Sequence, residues 1–497
     1  MGLNASLISI VTLKDTMANS LYFYDLETSG IDPRQARVMQ FAGQRVDLDL
    51  NAIGEPQNII IALNEDILPD PEAILITGIT PQQTLEEGIT EVEFMKIFDE
   101  EIAVPGTIMI GFNSIRFDDV FMRFMRYRNF YDAYSWQWKD DRSKWDLLDV
   151  VRMTRALRPK GINWPVDETG KATNRLEILT VENGLDHAKA HDALSDVEAT
   201  ISLARLLREK QPKLFDYLLS IRDKKVVSKL LLSNEPYVYT AGRVSSENEK
   251  TTVVRTIAEV QQKSAVLAYD LRVDPEPFLD MTEENILEAW QWKTIEDRTE
   301  DDIRLPIFEI ALNQCPAVAP LATLDQDSQE RIHLDIELIL KNKKKLASAT
   351  EFINRVLTAH GKKTHQQLQH FKSKSSDVDG QLYSGFIGND DQTTMTKVRN
   401  AQPKELDSFI VKLRDKRLQH LLPLYKARNF PLTLTDEERA QWEKHKDKKL
   451  FEGGDNSQLA KYFMKLQEIS SRPGLTISQQ HLLEDLQLYG QSLMPID

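Results

Sequence analysis

The sequence predicts an α/β protein whose N-terminal part is built on a mixed sheet, followed by a small β-barrel-like module and an all-helical end. Three observations carry this. Apolar, strand-like runs alternate with helix-period segments between residues 21 and 207. Short β-type runs dominate residues 235–313, and Leu- and Lys-rich helical segments continue from about residue 380. With 497 residues, 41% of them hydrophobic, the chain has apolar material for several cores. The expected domains are residues 18–210, 211–355 and 378–497.

LYFYDLETSG (21–30) opens the first of these. Leu21, Tyr22, Phe23 and Tyr24 read as a buried strand that ends in two carboxylates, Asp25 and Glu27, on one face and roughly 6–7 Å apart. Like charges so placed call for a cation or a proton between them, and a hard divalent metal is the natural guest. Alone, such a pair is more often two surface acids at a strand end. VMQFAGQRVD (38–47) and residues 59–63 are further strands, and ILITGITPQQT (74–84) is a helical turn, a Gly break and a Pro that opens another helix. TIMIGFN (107–113) is the next buried strand, and it runs into a helix on which Phe117, Phe121, Phe124 and Met125 recur. Asp118 therefore stands just beyond a strand end, where open α/β sheets place ligands.

From Phe121 to Trp145 aromatic and basic residues interleave, including Arg123, Tyr134, Trp136, Trp138 and Trp145, a pattern that suits an unpaired nucleic-acid strand and equally an aromatic satellite core. WDLLDVVRMTRALRP (145–159) reads as an amphipathic helix presenting Arg152, Arg155 and Arg158 to anions. In HDALSDVEATISLARLL (191–207), Leu194, Val197, Ile201 and Ala204 form one helical stripe. Positions 191 and 196 of an unbroken helix point about 140° apart. His191 is accordingly expected in the loop before the helix, with Asp192 as N-cap and Asp196 one turn inside. Further on, KNKKK (341–345) is read as a solvated helix face, and the later half of 359–380 as a linker.

Charge and cysteine content narrow the setting. A net charge of -15 excludes a chain coated in basic residues, while leaving room for a local basic channel. Cys315 is the single cysteine, so no internal disulfide forms and a cytoplasmic location is expected. No apolar run reaches the length of a membrane span, and the weakly apolar Leu7–Leu13 patch lacks the basic start of a signal peptide.

In order, the chain offers Asp25-x-Glu27, Asp118 after a GFN-containing strand, and His191-x-x-x-x-Asp196. This order and spacing resembles the DEDD superfamily of 3'→5' exonucleases, in the branch whose last motif carries histidine. The resemblance narrows through AILITGITPQ, IGFNSIRFDDVF, YRNFYDAYSWQW, SKWDLLDVVRMTRALRPKGINWP, NRLEILT, HDALSDV, QPKLFDYL, QLYSGF and KARNFPLTL, which are similar to the bacterial exodeoxyribonuclease I family. They cover most of residues 20–220, skip most of the middle module and return in the helical end.

That resemblance implies a ribonuclease H-like exonuclease domain, an SH3-like β domain with helical insertions, and a C-terminal helical domain. It implies two Mg²⁺ ions, with Mn²⁺ as a substitute, held by Asp25, Glu27, Asp118 and Asp196, and His191 as general base. Glu27, Thr28, Arg123, Tyr134, Trp138, Arg152, Arg175, Tyr383, Phe386 and Arg428 are the expected contacts to single-stranded DNA, with Phe430 in the same groove or its packing. Arg158 and Tyr217 are the expected receptor for the acidic tail of single-stranded DNA-binding protein. A monomer active in DNA repair is implied as well. Asp119, Asp146, Asp149 and Asp192 are expected to cap helices or form salt bridges. Two rivals remain open from the residues: an exoribonuclease or proofreading-type exonuclease sharing these acids, and a non-catalytic nucleic-acid-binding scaffold.

Overall fold

A computed structural model describes residues 20–185, 192–291, 304–374 and 377–494; His191 and the Leu7–Leu13 patch lie outside them. The chain forms two compact units. Unit 1 takes the described parts of 1–143, 188–198 and 372–497, and unit 2 those of 144–187 and 199–371.

Unit 1 is organised on a mixed sheet. Strands β1 (Leu21–Thr28), β2 (Val38–Val46), β3 (Gln57–Ile60) and β4 (Ile108–Gly111) run in the order β3-β2-β1-β4. The pairs β1–β2 and β2–β3 are antiparallel, and β1–β4 is parallel with Leu21 opposite Ile108. Side chains alternate along β1: Tyr22, Tyr24 and Leu26 enter a core with Phe41, Phe94, Phe98, Met122 and Trp136. Phe23, Asp25 and Glu27 therefore share the opposite face. The helices α1 (Pro71–Thr77) and α2 (Pro81–Glu87) follow the punctuation in the sequence. Gly78 ends α1 at φ 73, a left-handed cap that glycine adopts without strain, and the Thr80 hydroxyl accepts the Gln83 N–H to start α2.

The helix α3 (Asp118–Arg128) begins at Asp118, and α4 (Ala193–Lys210) has its first turn in unit 1. The helical end supplies α5 (Asn389–Asn400), α6 (Lys416–Asn429), α7 (Asp436–Phe451), α8 (Gln458–Ser470) and α9 (Ile477–Ser492). It is not an appendage. Leu459, Tyr462 and Leu466 of α8 with Leu483, Leu486 and Tyr489 of α9 bury Met39, Ile67, Ile74 and Ile79. Leu418, Leu421, Leu422 and Tyr425 of α6 meet Phe124, Tyr127 and Phe130.

Unit 2 holds an antiparallel five-stranded sheet in the order Ala317–Pro320, Tyr237–Thr240, Thr251–Val260, Ala265–Asp270 and Ile307–Ala311. The first of these, AVAP, is a short edge strand ending in proline and carries too little pattern to be read beforehand. Two expectations need correction. The helix read over 145–159 starts at Leu147 behind an Asp146 cap, because Trp145 belongs to the strand Ser143–Asp146. The segment read as a linker is helical through Lys374, its Lys and Gln residues being good helix formers. Lys343 and Lys345 of the KNKKK run pair with Glu235 and Asp274.

Candidate active site

The acids gather at the C-terminal end of β1. Asp25 and Glu27 project from one face of that strand. Asp196 comes in from the first turn of α4, whose start is capped by Asp192: its carboxylate accepts the Ser195 N–H at 3.1 Å. Oxygen atoms of Asp25, Glu27 and Asp196 lie within 4.8 Å of one another. Asp118 lies outside that set, but it is the charge that acts most strongly on Asp25. His191 is not among the described residues.

Asp118 owes its place to a tight passage from β4. Gly111 lets the backbone fold back on itself, since a Cβ there would stand 2.4 Å from the Ser114 Cβ, and Asn113 adopts φ 66. The next residue, Asp119, is fixed by hydrogen bonds. It accepts from the Tyr24 hydroxyl at 2.6 Å and from the Gln137 amide at 2.6 Å, with Arg123 3.6 Å away. Tyr24 and Gln137 went unread in the sequence; the one available signal was a buried tyrosine on the core face of β1, whose hydroxyl must find a partner.

Electrostatically the cluster is short of positive charge. Burial, then Asp118 and Asp196, push Asp25 well above the usual carboxylate range. Burial, then Asp25, Asp196 and Asp192, push Glu27 up to about 9. Asp25 and Glu27, raised beside Asp118 and Asp196, form with them a donor set matched to hard divalent cations. Thr28 is buried beside them, past a register shift in β1, with its hydroxyl donating to the Gly30 carbonyl at 2.8 Å.

The other expected contacts divide. In unit 1, Arg123 is buried with its guanidinium 5.5 Å from the Tyr134 ring centroid, and Tyr383 stands against Tyr134 while its ring meets Phe124 edge-on at 5.6 Å. Trp138 and Phe386 are exposed. Tyr127 and Trp136 are core residues, as is Trp145 in unit 2, where it packs on Phe215. Arg428 is corrected to a structural role. Its buried guanidinium forks to Asp66 at 2.6 Å and to Asp379 at 2.7 Å, and so offers no open face to a strand. Phe430 packs against Tyr425. In unit 2, Arg152 pairs with Asp149 at 2.6 Å and Arg175 with Glu177. Arg158 donates to the Thr323 carbonyl at 2.8 Å and lies 3.3 Å from Asp325, and burial pushes the Tyr217 phenol up to about 12.

A mixed sheet that delivers acids from the end of its central strand and from two helix starts is the frame of a ribonuclease H-like exonuclease. Residues 22–204 match an exonuclease family model, 222–362 the exonuclease I SH3-like domain and 376–493 the exonuclease I C-terminal domain. Exodeoxyribonuclease I of Haemophilus influenzae is 37% identical over 434 residues, covering 87% of this chain and 90% of that protein. The exonuclease I structure from Methylocaldum szegediense aligns with a TM-score of 0.88 at 39% identity, over 95% of this chain and 99% of that one. Escherichia coli exonuclease I in complex with a dA16 oligonucleotide aligns with a TM-score of 0.88 at 34% identity, over 96% and 100%. Similar structures also include a zinc-bound E. coli exonuclease I complex with single-stranded DNA and an SSB/exonuclease I structure with an inhibitor. The chain belongs to the exodeoxyribonuclease I family. Among its described residues, no helix is long and apolar enough to cross a membrane.

Proposed function

We propose that the chain hydrolyses single-stranded DNA from its 3' end and releases 5'-mononucleotides, with Asp25, Glu27, Asp118 and Asp196 as the metal-binding acids. The observation that carries this is the convergence of Asp25, Glu27 and Asp196 within 4.8 Å, with Asp118 adding its charge. The four carboxylates would hold two divalent ions, Mg²⁺ in this reading with Mn²⁺ able to replace it. Such ions, when bound, supply Lewis acidity to the attacking and leaving oxygens of the phosphodiester.

The chain's own groups do the rest. Tyr24 and Gln137 hold Asp119, and thereby the first turn of α3 that presents Asp118. His191 keeps the role its motif implies, accepting the proton of the attacking water near neutral pH. Tyr134, Trp138, Tyr383 and Phe386 offer aromatic faces for unpaired bases, and Arg123 a cation for phosphate. Arg152 and Arg175 complete the proposed DNA contacts; Arg158 and Tyr217 form the proposed receptor for the acidic tail of single-stranded DNA-binding protein. The reading includes a monomer working in the cytoplasm on DNA repair substrates.

End-labelled single-stranded DNA tests it. Mononucleotides should appear with Mg²⁺, vanish with a chelator, and fall at least a thousandfold with Asp196→Ala. A matched RNA strand run alongside decides the sugar. Undiminished release by Asp196→Ala would remove the acid cluster from the mechanism.

A further inference from the structure

The helix α3 starts without a side-chain cap: Phe117 stands at its N-cap position, and a phenyl ring accepts no hydrogen bond from the first N–H groups. The first turn, which carries Asp118, leans instead on the buried carboxylate of Asp119. Two of the groups that hold this carboxylate differ in origin. Its Oδ1 accepts from Tyr24 at 2.6 Å and its Oδ2 from the Gln137 amide at 2.6 Å. Tyr24 belongs to the sheet, with its ring stacked on Phe41 in the core of unit 1. Burial, then the charges of Asp119 and Asp118, push its phenol well above the ordinary range, so it stays a donor. Gln137 is half-buried and stands in a short turn, Ser135–Gln137.

That turn faces a different surface. The Gln137 N–H donates to the Tyr134 carbonyl at 3.0 Å, and its side-chain carbonyl accepts from Arg123 at 3.2 Å. The Arg123 guanidinium lies 5.5 Å from the Tyr134 ring centroid, and the Tyr134 and Tyr383 hydroxyls are hydrogen-bonded. Both rings are open to water, Tyr134 at 41% and Tyr383 at 40%. One side-chain amide thus bridges an open aromatic face and the carboxylate next to a metal-binding acid. A base stacked on Tyr134 restrains the turn, and the turn carries the donor that holds Asp119. Ordering brought about by one ligand need not be repeated for the next, so two sites that share a restraint bind cooperatively.

We propose that Gln137 is a positioning residue that couples occupancy of the Tyr134–Tyr383 face to the placement of Asp118, so that a single strand and the divalent ion each tighten the binding of the other. The identity of both ligands rests on the hydrolytic reading above. Tyr24 holds its oxygen from inside the sheet, whether or not a strand is present. Gln137 holds the other from the strand's side.

Anisotropy titrations of the full chain with a labelled single-stranded oligonucleotide, its 3'-terminal linkages protected as phosphorothioates, give Kd in chelator and in Mg²⁺; an unprotected strand gives kcat and KM. The wild type should bind more tightly in Mg²⁺. Gln137→Met, which removes both side-chain hydrogen bonds, should leave the chelator Kd within about twofold while losing about fivefold of the Mg²⁺ tightening. Its kcat should fall about tenfold, the effect of a misplaced acid. Gln137→Glu keeps an acceptor for Arg123 and loses the donor to Asp119; it should behave alike, and it is the second variant if Gln137→Met melts early. Tyr24→Phe should lower kcat yet keep the wild-type ratio of the two Kd values, because it loosens Asp118 equally with and without a strand. Gln137 variants that keep that ratio, a Tyr24→Phe protein that loses it to the same extent, or a wild-type Kd indifferent to Mg²⁺ overturns the coupling. Any of these beside normal nucleotide release by the wild type leaves the hydrolytic reading standing, whereas a coupled wild type that releases no nucleotide removes that reading and keeps the coupling.

Discussion

Replacing Arg428 by alanine should cost folding stability, with DNA affinity left as it is in the protein that remains folded. The guanidinium is buried and reaches two carboxylates of negligible exposure, Asp66 at 2.6 Å and Asp379 at 2.7 Å. Lys449 lies 2.8 Å from Asp66, and Arg37 lies 2.5 Å from Asp379, so neither acid would be left wholly alone. Breaking a buried pair by removing one partner costs about 3–5 kcal/mol, and the two surviving cations argue for the lower end, about 3 kcal/mol. With a slope of about 3 kcal/mol per molar urea, the midpoint should fall by about 1 M. Arg428→Lys, which keeps the charge and loses the fork, should fall between the two. The ion pairs hold Asp66 and Asp379 below the ordinary carboxylate range. Their contribution is thus present above about pH 4 and drains away as pH drops through the lowered folded values, so the wild type and the variant should converge in acid. An Arg428→Ala protein with an unshifted midpoint and weakened binding to single-stranded DNA would refute the structural assignment and return this arginine to the groove.

Two further outcomes follow from the acid cluster and the exposed aromatics. Glu27 is pushed up to about 9 from 4.5, so the metal-free protein gains stability from its proton below about pH 4.5 and loses that gain as pH rises through about 9. Chelated protein should therefore melt at falling temperature between those limits and flatten when Mg²⁺ is added; calorimetry at pH 7 in buffers of different ionisation enthalpy should show net proton release on metal binding, and none released would contradict the raised values. Phe386 has its ring in solvent, so Phe386→Ala should leave the unfolding midpoint in place while weakening chelated single-stranded DNA binding by about 1–3 kcal/mol, read by fluorescence anisotropy.

What could be read from the sequence was whatever short-range patterning encodes. The apolar run ahead of Asp25, the Gly78 stop, the Thr80-Pro81 start and the Asp192 cap are all local signals, and each element stands within a few residues of its expected place. Aromatics in 121–145 were ambiguous for a physical reason: Trp136 and Trp138 are two residues apart, yet one is core and the other exposed, because a tight turn rather than a regular period separates them. Arg428 was misread because its partners lie 362 and 49 positions away, and no local pattern reports such a pairing.

Unit 1 buries carboxylates in two ways, and the difference separates scaffold from site. Asp66, Asp379 and Glu91 meet Arg428, Arg37, Lys449 and Arg128 at ion-pair distance, and all three acids are held low. Asp25 and Glu27 are raised by burial first and by other carboxylates next, with no cation among the causes, and both are held high. A fold able to place cations beside Asp66, Asp379 and Glu91 does not leave Asp25, Glu27, Asp118 and Asp196 crowded at the end of its central strand as a packing accident, because the raised values of Asp25 and Glu27 are stability forgone. The deficit is recovered only when positive charge arrives from outside the chain. Substituting Asp25 or Glu27 by its amide should on this argument raise the melting temperature of the chelated protein at pH 8 while abolishing nucleotide release, whereas the same change at Asp379 should lower it.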